Sequence, residues 1–185
     1  MASTAVNVAS HAGRLEMPQS FHQPLWYAAY TSANHEKRVG EQLAVRSVEH
    51  FLPLYSSLRR WKDRRVKLEL PLFPGYVFVR LALRDRLVVL QIPGVAKLVG
   101  FNGTPTALPE EEIEALKKGL LCGVRAEPHP FLSVGRRVRV KAGPLEGAEG
   151  IVIRRKNRLR LVISLDLIRC AAAVEVDAVD LEGAR

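Results

Sequence analysis

The sequence predicts an α+β fold in two parts: an N-terminal antiparallel sheet with flanking helices, followed by a small C-terminal all-β barrel. In residues 25–122, short runs of aromatic and β-branched residues alternate with segments of helical periodicity. After residue 130, only short β-branched runs remain, and glycine separates them. The Pro-rich sequence 127–130 lies between the two patterns and reads as a short, stiff linker.

The composition is that of a globular protein with a strongly basic surface. In 185 residues, 28 Lys and Arg stand against 19 Asp and Glu, which gives a net charge of +9. A basic field favours polyanionic partners without identifying one, and a surface serving solubility alone explains it equally well. The sequence has no apolar run long enough to span a bilayer and no signal-peptide pattern, so a cytoplasmic location is expected. Cys122 and Cys170 are expected to be reduced thiols.

The N-terminal part begins with a tail and a strand. Residues 1–22 are polar without apolar periodicity, and we expect them to be disordered. An aromatic strand follows over 25–30. Ser32 and Asn34 are candidate N-caps of the next helix, and Glu36 lies where the positive end of the helix dipole favours it.

The remaining elements follow from periodicity and from the positions of Pro and Gly. Four further N-terminal strands are expected over 49–58, 66–70, 76–81 and 95–101. Helices are expected over 84–91 and after Pro109. Four C-terminal strands are expected over 137–141, 150–154, 159–165 and 173–176. The predicted domains are therefore a tail 1–22, an N-terminal domain 23–122, a linker 123–130 and a barrel 131–185.

No catalytic pattern stands out. The sequence lacks a Gly-rich phosphate loop, a nucleophile elbow and a helix-borne His pair for zinc. The acidic run Glu110–Glu112 is best explained as a solvated helix start. We therefore expect a binding protein that is not an enzyme and that has no cofactor and no metal site.

One segment, 71–80, carries aromatic residues in a strand pattern. Because side chains alternate along a strand, Tyr76, Phe78 and Arg80 share one face and Val77 and Val79 share the other. Aromatics beside an arginine are enriched at protein interfaces. The alternative is that helices cover both faces and the aromatics are buried.

A second segment is a basic hairpin around Trp61, which suits contact with phosphates and a base. The alternative is a charged hairpin that protects a sheet edge. Its basic candidates are Arg59, Arg60, Lys62, Arg64 and Arg65.

Taken together, these segments resemble the NusG/RfaH family of transcription factors over residues 25–182. The resemblance is carried by Trp26-Tyr27, the sequence PLFPGYVFV from Pro71, Pro93-Gly94-Val95, Leu108-Pro109, and a KOW-like stretch over 138–152. The likeness is closest to the specialised RfaH- and UpxY-like paralogues, which act on selected operons. The β-branched C-terminal strands favour a barrel over the helical hairpin that RfaH can form.

The resemblance implies a monomeric elongation and antitermination factor that binds the clamp helices of RNA polymerase and suppresses pausing. A housekeeping NusG acting with Rho is the main rival, and a ribosome-associated RNA-binding protein is a third interpretation. The positions that match the polymerase-binding cavity are Tyr30, Phe73, Tyr76, Phe78, Val95, Leu98 and Phe101.

The resemblance also implies further contacts. Lys37 and Arg38 match positions near the non-template DNA strand. The barrel loop that recruits a small-subunit ribosomal protein or Rho matches Ser164, Leu165, Asp166, Leu167, Ile168 and Arg169. This loop lacks the aromatic residue of housekeeping NusG, which argues against Rho. The chain departs from RfaH at the aliphatic stretch Leu87–Val89, where RfaH has a polar contact to a second polymerase subunit.

Overall fold

The structure, a computed structural model, describes residues 21–61, 64–130, 135–155, 158–177 and 180–183. For 59–61, 64–65, 154–155 and 158–159 it describes the backbone only. Among the described residues, no helix is long and apolar enough to cross a membrane. The predicted tail 1–22 lies almost entirely outside these ranges.

The N-terminal part is an antiparallel four-stranded sheet in the order β2-β5-β1-β6. Its strands are β1 (Leu25–Thr31), β2 (Glu49–Phe51), β5 (Tyr76–Leu81) and β6 (Val95–Leu98). A separate hairpin is formed by β3 (Leu54–Trp61) and β4 (Arg64–Pro71), and a smaller one by β7 (Gly100–Phe101) and β8 (Thr104–Pro105). The helices are α1 (Glu36–Val45), α2 (Arg86–Leu90) and α3 (Glu110–Leu121).

Two expected strands are divided. The strand expected over 49–58 breaks at Pro53, which has no N–H to donate to a ladder, so β2 and β3 belong to different sheets. The strand expected over 95–101 ends at Leu98. The helix expected over 84–91 is a 3₁₀ turn, Leu83–Asp85, followed by the short α2.

The start of α1 also differs from the expectation. Its N-cap is His35, with no side-chain cap hydrogen bond, rather than Ser32 or Asn34. Asn34 has a left-handed backbone, with φ of 61°, which asparagine tolerates better than most residues. The Ser32 carbonyl accepts a hydrogen bond from the His35 N–H (3.1 Å). The expectation that Glu36 lies in the first turn is confirmed.

The C-terminal part is a six-stranded antiparallel sheet in the order β14-β10-β11-β12-β13-β9. Its strands are β9 (Ala126–His129), β10 (Arg137–Val140), β11 (Glu149–Arg155), β12 (Arg158–Leu165), β13 (Cys170–Val176) and β14 (Leu181–Gly183). The predicted fold class, an antiparallel α+β unit followed by an all-β unit, is confirmed. Within the predicted linker, β9 pairs with β13, so these residues extend the second sheet.

The two faces of the N-terminal sheet pack against different partners. Val77, Val79 and Leu43 lie in one buried cluster, which α1 and α2 cover. Phe78 lies in the other cluster, which also contains α3 residues and much of the C-terminal sheet. The two parts of the chain therefore share a continuous core, and their division into domains stays a prediction.

One glycine makes this packing close. At Gly119 of α3, an added Cβ would lie 2.3 Å from Leu145 Cδ2. Glycine in a helix interior costs about 1 kcal/mol relative to alanine, so the close approach of the C-terminal part explains its presence here.

Candidate functional site: an aromatic patch beneath the C-terminal loop

The centre of the candidate site is a tight turn that begins at Phe73. The Tyr76 N–H donates a hydrogen bond to the Phe73 carbonyl (3.1 Å), and Gly75 has φ of 85°. A positive φ at the third position of such a turn favours glycine. An added Cβ at Gly75 would lie 3.4 Å from the Tyr30 ring, an ordinary contact, so the positive φ accounts for the glycine.

A buried carboxylate anchors the turn to α1. Glu36 is only 4% exposed, and its Oε1 accepts a hydrogen bond from the Gly75 N–H (2.7 Å). The Thr31 N–H donates to the Gly75 carbonyl (2.8 Å). Since Glu36 is also in the first turn of α1, the helix dipole favours its negative charge. The orientation of Phe73 and Tyr76 is therefore fixed from both sides of the turn.

The turn and its neighbouring strands bring four aromatic rings together. The Tyr30 and Tyr76 ring centroids are 5.4 Å apart, as expected for residues paired across β1 and β5. Phe73 meets Phe78 edge to face at 5.6 Å. These distances are typical of favourable aromatic pairs. We call Tyr30, Phe73, Tyr76 and Phe78 the aromatic patch.

The four rings differ in exposure. Tyr30 is 42% exposed, whereas Phe73 and Phe78 are 1% and 0% exposed. Tyr76 is partly buried against the same core cluster. Burial, with smaller contributions from Cys170 and Tyr30, raises the pKa of Tyr76 above its ordinary value. In this arrangement the two phenylalanines are buried, as the alternative interpretation of the sequence expects.

The C-terminal loop between β12 and β13 lies over this side of the sheet. Leu165 and Ile168 are buried in the cluster that contains Phe73 and Phe78, and Leu167 packs against it. Asp166 and Arg169 are exposed. The loop that the sequence predicts to bind one partner therefore shares a buried cluster with Phe73 and Phe78, which the sequence predicts to bind another.

Acidic residues from both parts meet at the edge of this contact. Glu112 of α3 lines a small cavity of about 80 Å³ with Glu149, Asp166, Ser164 and Arg137. Burial, followed by repulsion from Asp166 and Glu149, raises the pKa of Glu112 to about 7. Protonation of Glu112 thus favours the contact between α3 and the C-terminal sheet.

Two predicted cavity residues lie on the opposite face of the sheet, and a third is exposed. Leu98 is buried in the cluster on the opposite face of the sheet, and Val95 packs against that cluster. Phe101 is 68% exposed on β7. In their place the structure brings Phe51 and Val99 to the aromatic side, where both pack against the core cluster that contains Phe78. Phe51 stacks on Phe78 at 6.2 Å.

The predicted nucleic-acid-binding residues lie on two elements. Lys37 and Arg38 are exposed on α1. Arg59, Arg60, Arg64 and Arg65 lie at the end of the β3–β4 hairpin, where only the backbone is described, and Lys62 lies outside the described residues.

Sequence reasoning missed a second basic hairpin in the C-terminal sheet. Arg155 of β11 and Arg158 of β12 are backbone partners, with Arg154 beside them. The same pattern occurs in the first hairpin, where Arg60 pairs with Arg65. The sequence from 154 to 160 contains five basic residues and no acidic residue, a charge pattern that could have predicted this hairpin.

Among the described residues, no group of three or more His, Cys, Asp or Glu is placed to hold a metal ion. Cys122 and Cys170 are free thiols, and burial raises the pKa of Cys170.

Comparisons with known proteins give a consistent result. The family model NusG, described as transcription termination factor nusG, matches residues 24–117. The transcription termination/antitermination protein NusG of Rickettsia felis is 29% identical over 155 residues, 76% of this chain and 81% of the relative. The protein of the same name from Staphylococcus aureus strain Mu50 is 30% identical over 174 residues, 85% of this chain and 94% of the relative.

The fold is also similar to a solved structure, described as domain interaction in Thermotoga maritima NusG. The TM-score is 0.51 at 21% identity, and the match covers 88% of this chain and 98% of the other.

Proposed function

The chain belongs to the NusG family of transcription factors, and from this premise we propose that it binds RNA polymerase through the aromatic patch and suppresses pausing. The proposed contact is with the clamp helices of the largest subunit. The observation that supports it most is the cluster of Tyr30, Phe73, Tyr76 and Phe78 on one side of the sheet. Clustered aromatic rings held by a rigid scaffold are typical of interface hot spots.

Binding through the whole patch requires the C-terminal loop to move. Phe73 and Phe78 are buried in a core shared with Leu165 and Ile168, so a partner reaches only Tyr30 and part of Tyr76 in the closed arrangement. We propose that the polymerase binds a form in which the C-terminal sheet has left α3 and β5. The apparent affinity is then lowered by the fraction of molecules that are open.

The same movement exposes the partner loop Ser164–Arg169, whose Leu165 and Ile168 are buried in the closed form. We propose that this loop recruits a small-subunit ribosomal protein. The absence of an aromatic residue from the loop disfavours Rho. Both proposed surfaces are thus masked together and released together.

Lys37 and Arg38 are proposed to contact the non-template DNA strand. Both are exposed on α1, whose first turn holds the aromatic patch through Glu36. Contacts of this kind are electrostatic and weaken with salt.

The finer proposal is a specialised factor acting at selected operons, as in the RfaH- and UpxY-like paralogues. It rests on the aliphatic loop sequence Leu165-Asp166-Leu167-Ile168. The second candidate is a housekeeping NusG acting in termination with Rho. It is favoured by the names of the relatives, which are termination and antitermination proteins.

A reconstituted elongation assay with the full chain and core polymerase tests the direction of the effect. We expect shorter pauses at a defined pause site, because a factor that holds the clamp shifts the population away from the paused state. A change of about 1.4 kcal/mol alters the ratio of two states tenfold. Adding Rho should not increase termination. Longer pauses, or termination that rises only with Rho, would favour the housekeeping function.

A further inference from the structure

A second groove lies away from the aromatic patch, between the β3–β4 hairpin and the segment 120–127 that leads from α3 into β9. Its volume is about 540 Å³. Pockets of about 300–1,000 Å³ are the usual size for ligand sites. None of the four residues of the aromatic patch lines this groove.

The acids that line the groove already have partners. The Ser56 hydroxyl donates a hydrogen bond to Glu69, which is its backbone partner across the hairpin. The Arg160 guanidinium donates to Glu127 (2.9 Å), and this hydrogen bond raises the pKa of Arg160. Arg160 therefore offsets the charge of Glu127, whereas Glu69 is paired with a neutral hydroxyl and keeps its charge.

The cations of the groove lack such partners. Lys67 and Arg125 are exposed, and neither forms an ion pair with another residue in the part of the chain that the structure describes. A bound polyanion would occupy these two cations.

An exposed apolar residue lies beside one of these cations. Leu58 is 73% exposed and is the backbone partner of Lys67 on the hairpin. A cation next to apolar surface suits a ligand whose charged backbone alternates with flat apolar groups. Single-stranded nucleic acid has this character, since its phosphates bind cations and its bases rest on apolar surface.

We propose that this groove binds single-stranded RNA, with Lys67 and Arg125 on phosphates, Leu58 against a base, and Glu69 as acceptor for a ribose hydroxyl. Glu69 favours RNA over DNA, because its carboxylate accepts a hydrogen bond from the 2′-OH that DNA lacks. This site goes beyond the proposed polymerase contact and stands or fails without it.

The test is a fluorescence-anisotropy titration of the full chain against a labelled ten-nucleotide oligouridine and its deoxyuridine counterpart, without polymerase. We expect RNA to bind at low salt and severalfold more tightly than DNA. The variant Lys67→Ala/Arg125→Ala should bind RNA at least tenfold more weakly. Its salt dependence should be less steep by about 1.4 in log–log slope, because two phosphate contacts are lost.

The matched control is Lys118→Ala/Arg136→Ala, which removes the same charge from exposed positions outside the groove. It should bind RNA within about twofold of wild type. Equal losses of RNA affinity in the two variants would mean that RNA binding depends only on net charge, and they would overturn the proposal.

Further measurements test the role of Glu69 and the class of ligand that the groove binds. Glu69→Ala should reduce the preference for RNA over DNA, since it removes the proposed ribose acceptor. Equal binding of RNA and DNA by the wild type would contradict the proposal. Binding of a poly-glutamate peptide without binding of RNA would also overturn it, and would identify the groove as a docking site for an acidic protein segment.

Discussion

Replacing Glu112 by glutamine tests the contact between α3 and the C-terminal sheet through its pH dependence. Glutamine keeps the shape of the side chain and removes its charge at every pH. In the folded chain, burial and the nearby Asp166 and Glu149 raise the pKa of Glu112 from 4.5 to about 7. We expect Glu112→Gln to stabilise the protein at pH 8 and to leave its stability unchanged at pH 4.

Glu112→Gln should stabilise the protein at high pH because folding raises the pKa of Glu112. Below pH 4.5 the carboxyl is neutral in the folded and unfolded states and has no differential effect. Between pH 4.5 and about 7 the unfolded state ionises while the folded state still holds the proton, so stability falls as pH rises. Above pH 7 the destabilisation is complete.

The size of the stabilisation depends on how far folding raises the pKa of Glu112 and on how much solvent screens the carboxylate. A rise from 4.5 to about 7 corresponds to about 3.4 kcal/mol for a fully buried group. Glu112 is only half-buried, and solvent screening reduces such interactions. We therefore expect Glu112→Gln to raise the free energy of unfolding by about 1–2 kcal/mol at pH 8.

Urea unfolding followed by circular dichroism, from pH 4 to pH 8, measures this difference. Glu41→Gln is the matched control, because Glu41 is an exposed carboxylate on α1. Its effect should stay within about 0.5 kcal/mol at all pH values. A difference for Glu112→Gln that is independent of pH would refute the reasoning. So would destabilisation at pH 8, which would mean that Arg137 holds the carboxylate favourably.

Two further changes test the anchor of the turn and the contact between the two parts of the chain. Glu36→Ala leaves the Gly75 N–H without its buried partner, and urea unfolding should show a free energy of unfolding lower by about 1.5–3 kcal/mol. A decrease of less than about 0.5 kcal/mol would contradict the role of Glu36 as an anchor. Gly119→Val places a side chain against Leu145 and should loosen the contact between the two parts of the chain, so that Cys170 reacts faster with a thiol reagent. Gly119→Val/Leu145→Ala makes room for the new side chain and should restore slow labelling. Equal labelling rates in the wild type, the single variant and the double variant would contradict the packing.

Local patterns in the sequence predicted much of the fold. The alternation in β5 separates Phe78 from Val77 and Val79, and the structure buries them in different clusters, because period two fixes the face. The break between β2 and β3 at Pro53 could also have been predicted, since proline has no N–H to donate to a strand ladder. The helix and strand boundaries that were wrong differ mostly by a few residues at element ends.

The aromatic site was only partly predictable. Leu98 lies on the opposite face because it is the partner of Ala29, and a register shift between Tyr30 and Thr31 brings Val95 to that same face. No sequence pattern marks such an irregularity. Phe73 and Phe78 share their buried cluster with residues of α3 and of the C-terminal sheet, and such long-range packing leaves no trace in local periodicity.

The structure also changes how the polymerase contact should be tested. Phe78 is fully buried, and replacing a core phenylalanine by alanine costs about 3–5 kcal/mol, so loss of binding would be confused with loss of folding. Tyr30 and Tyr76 belong to the patch but are partly accessible. They are the residues whose removal separates binding from stability.

The most direct test of the central claim is therefore the affinity of core RNA polymerase for the full chain and for Tyr30→Ala/Tyr76→Ala. Leu121→Ala, at an 87% exposed position on α3, is the control. The aromatic patch predicts that wild type and control bind equally and that the folded double variant binds at least tenfold more weakly, a loss of about 1.4 kcal/mol or more. Wild-type affinity in a double variant with a native circular dichroism spectrum would contradict it.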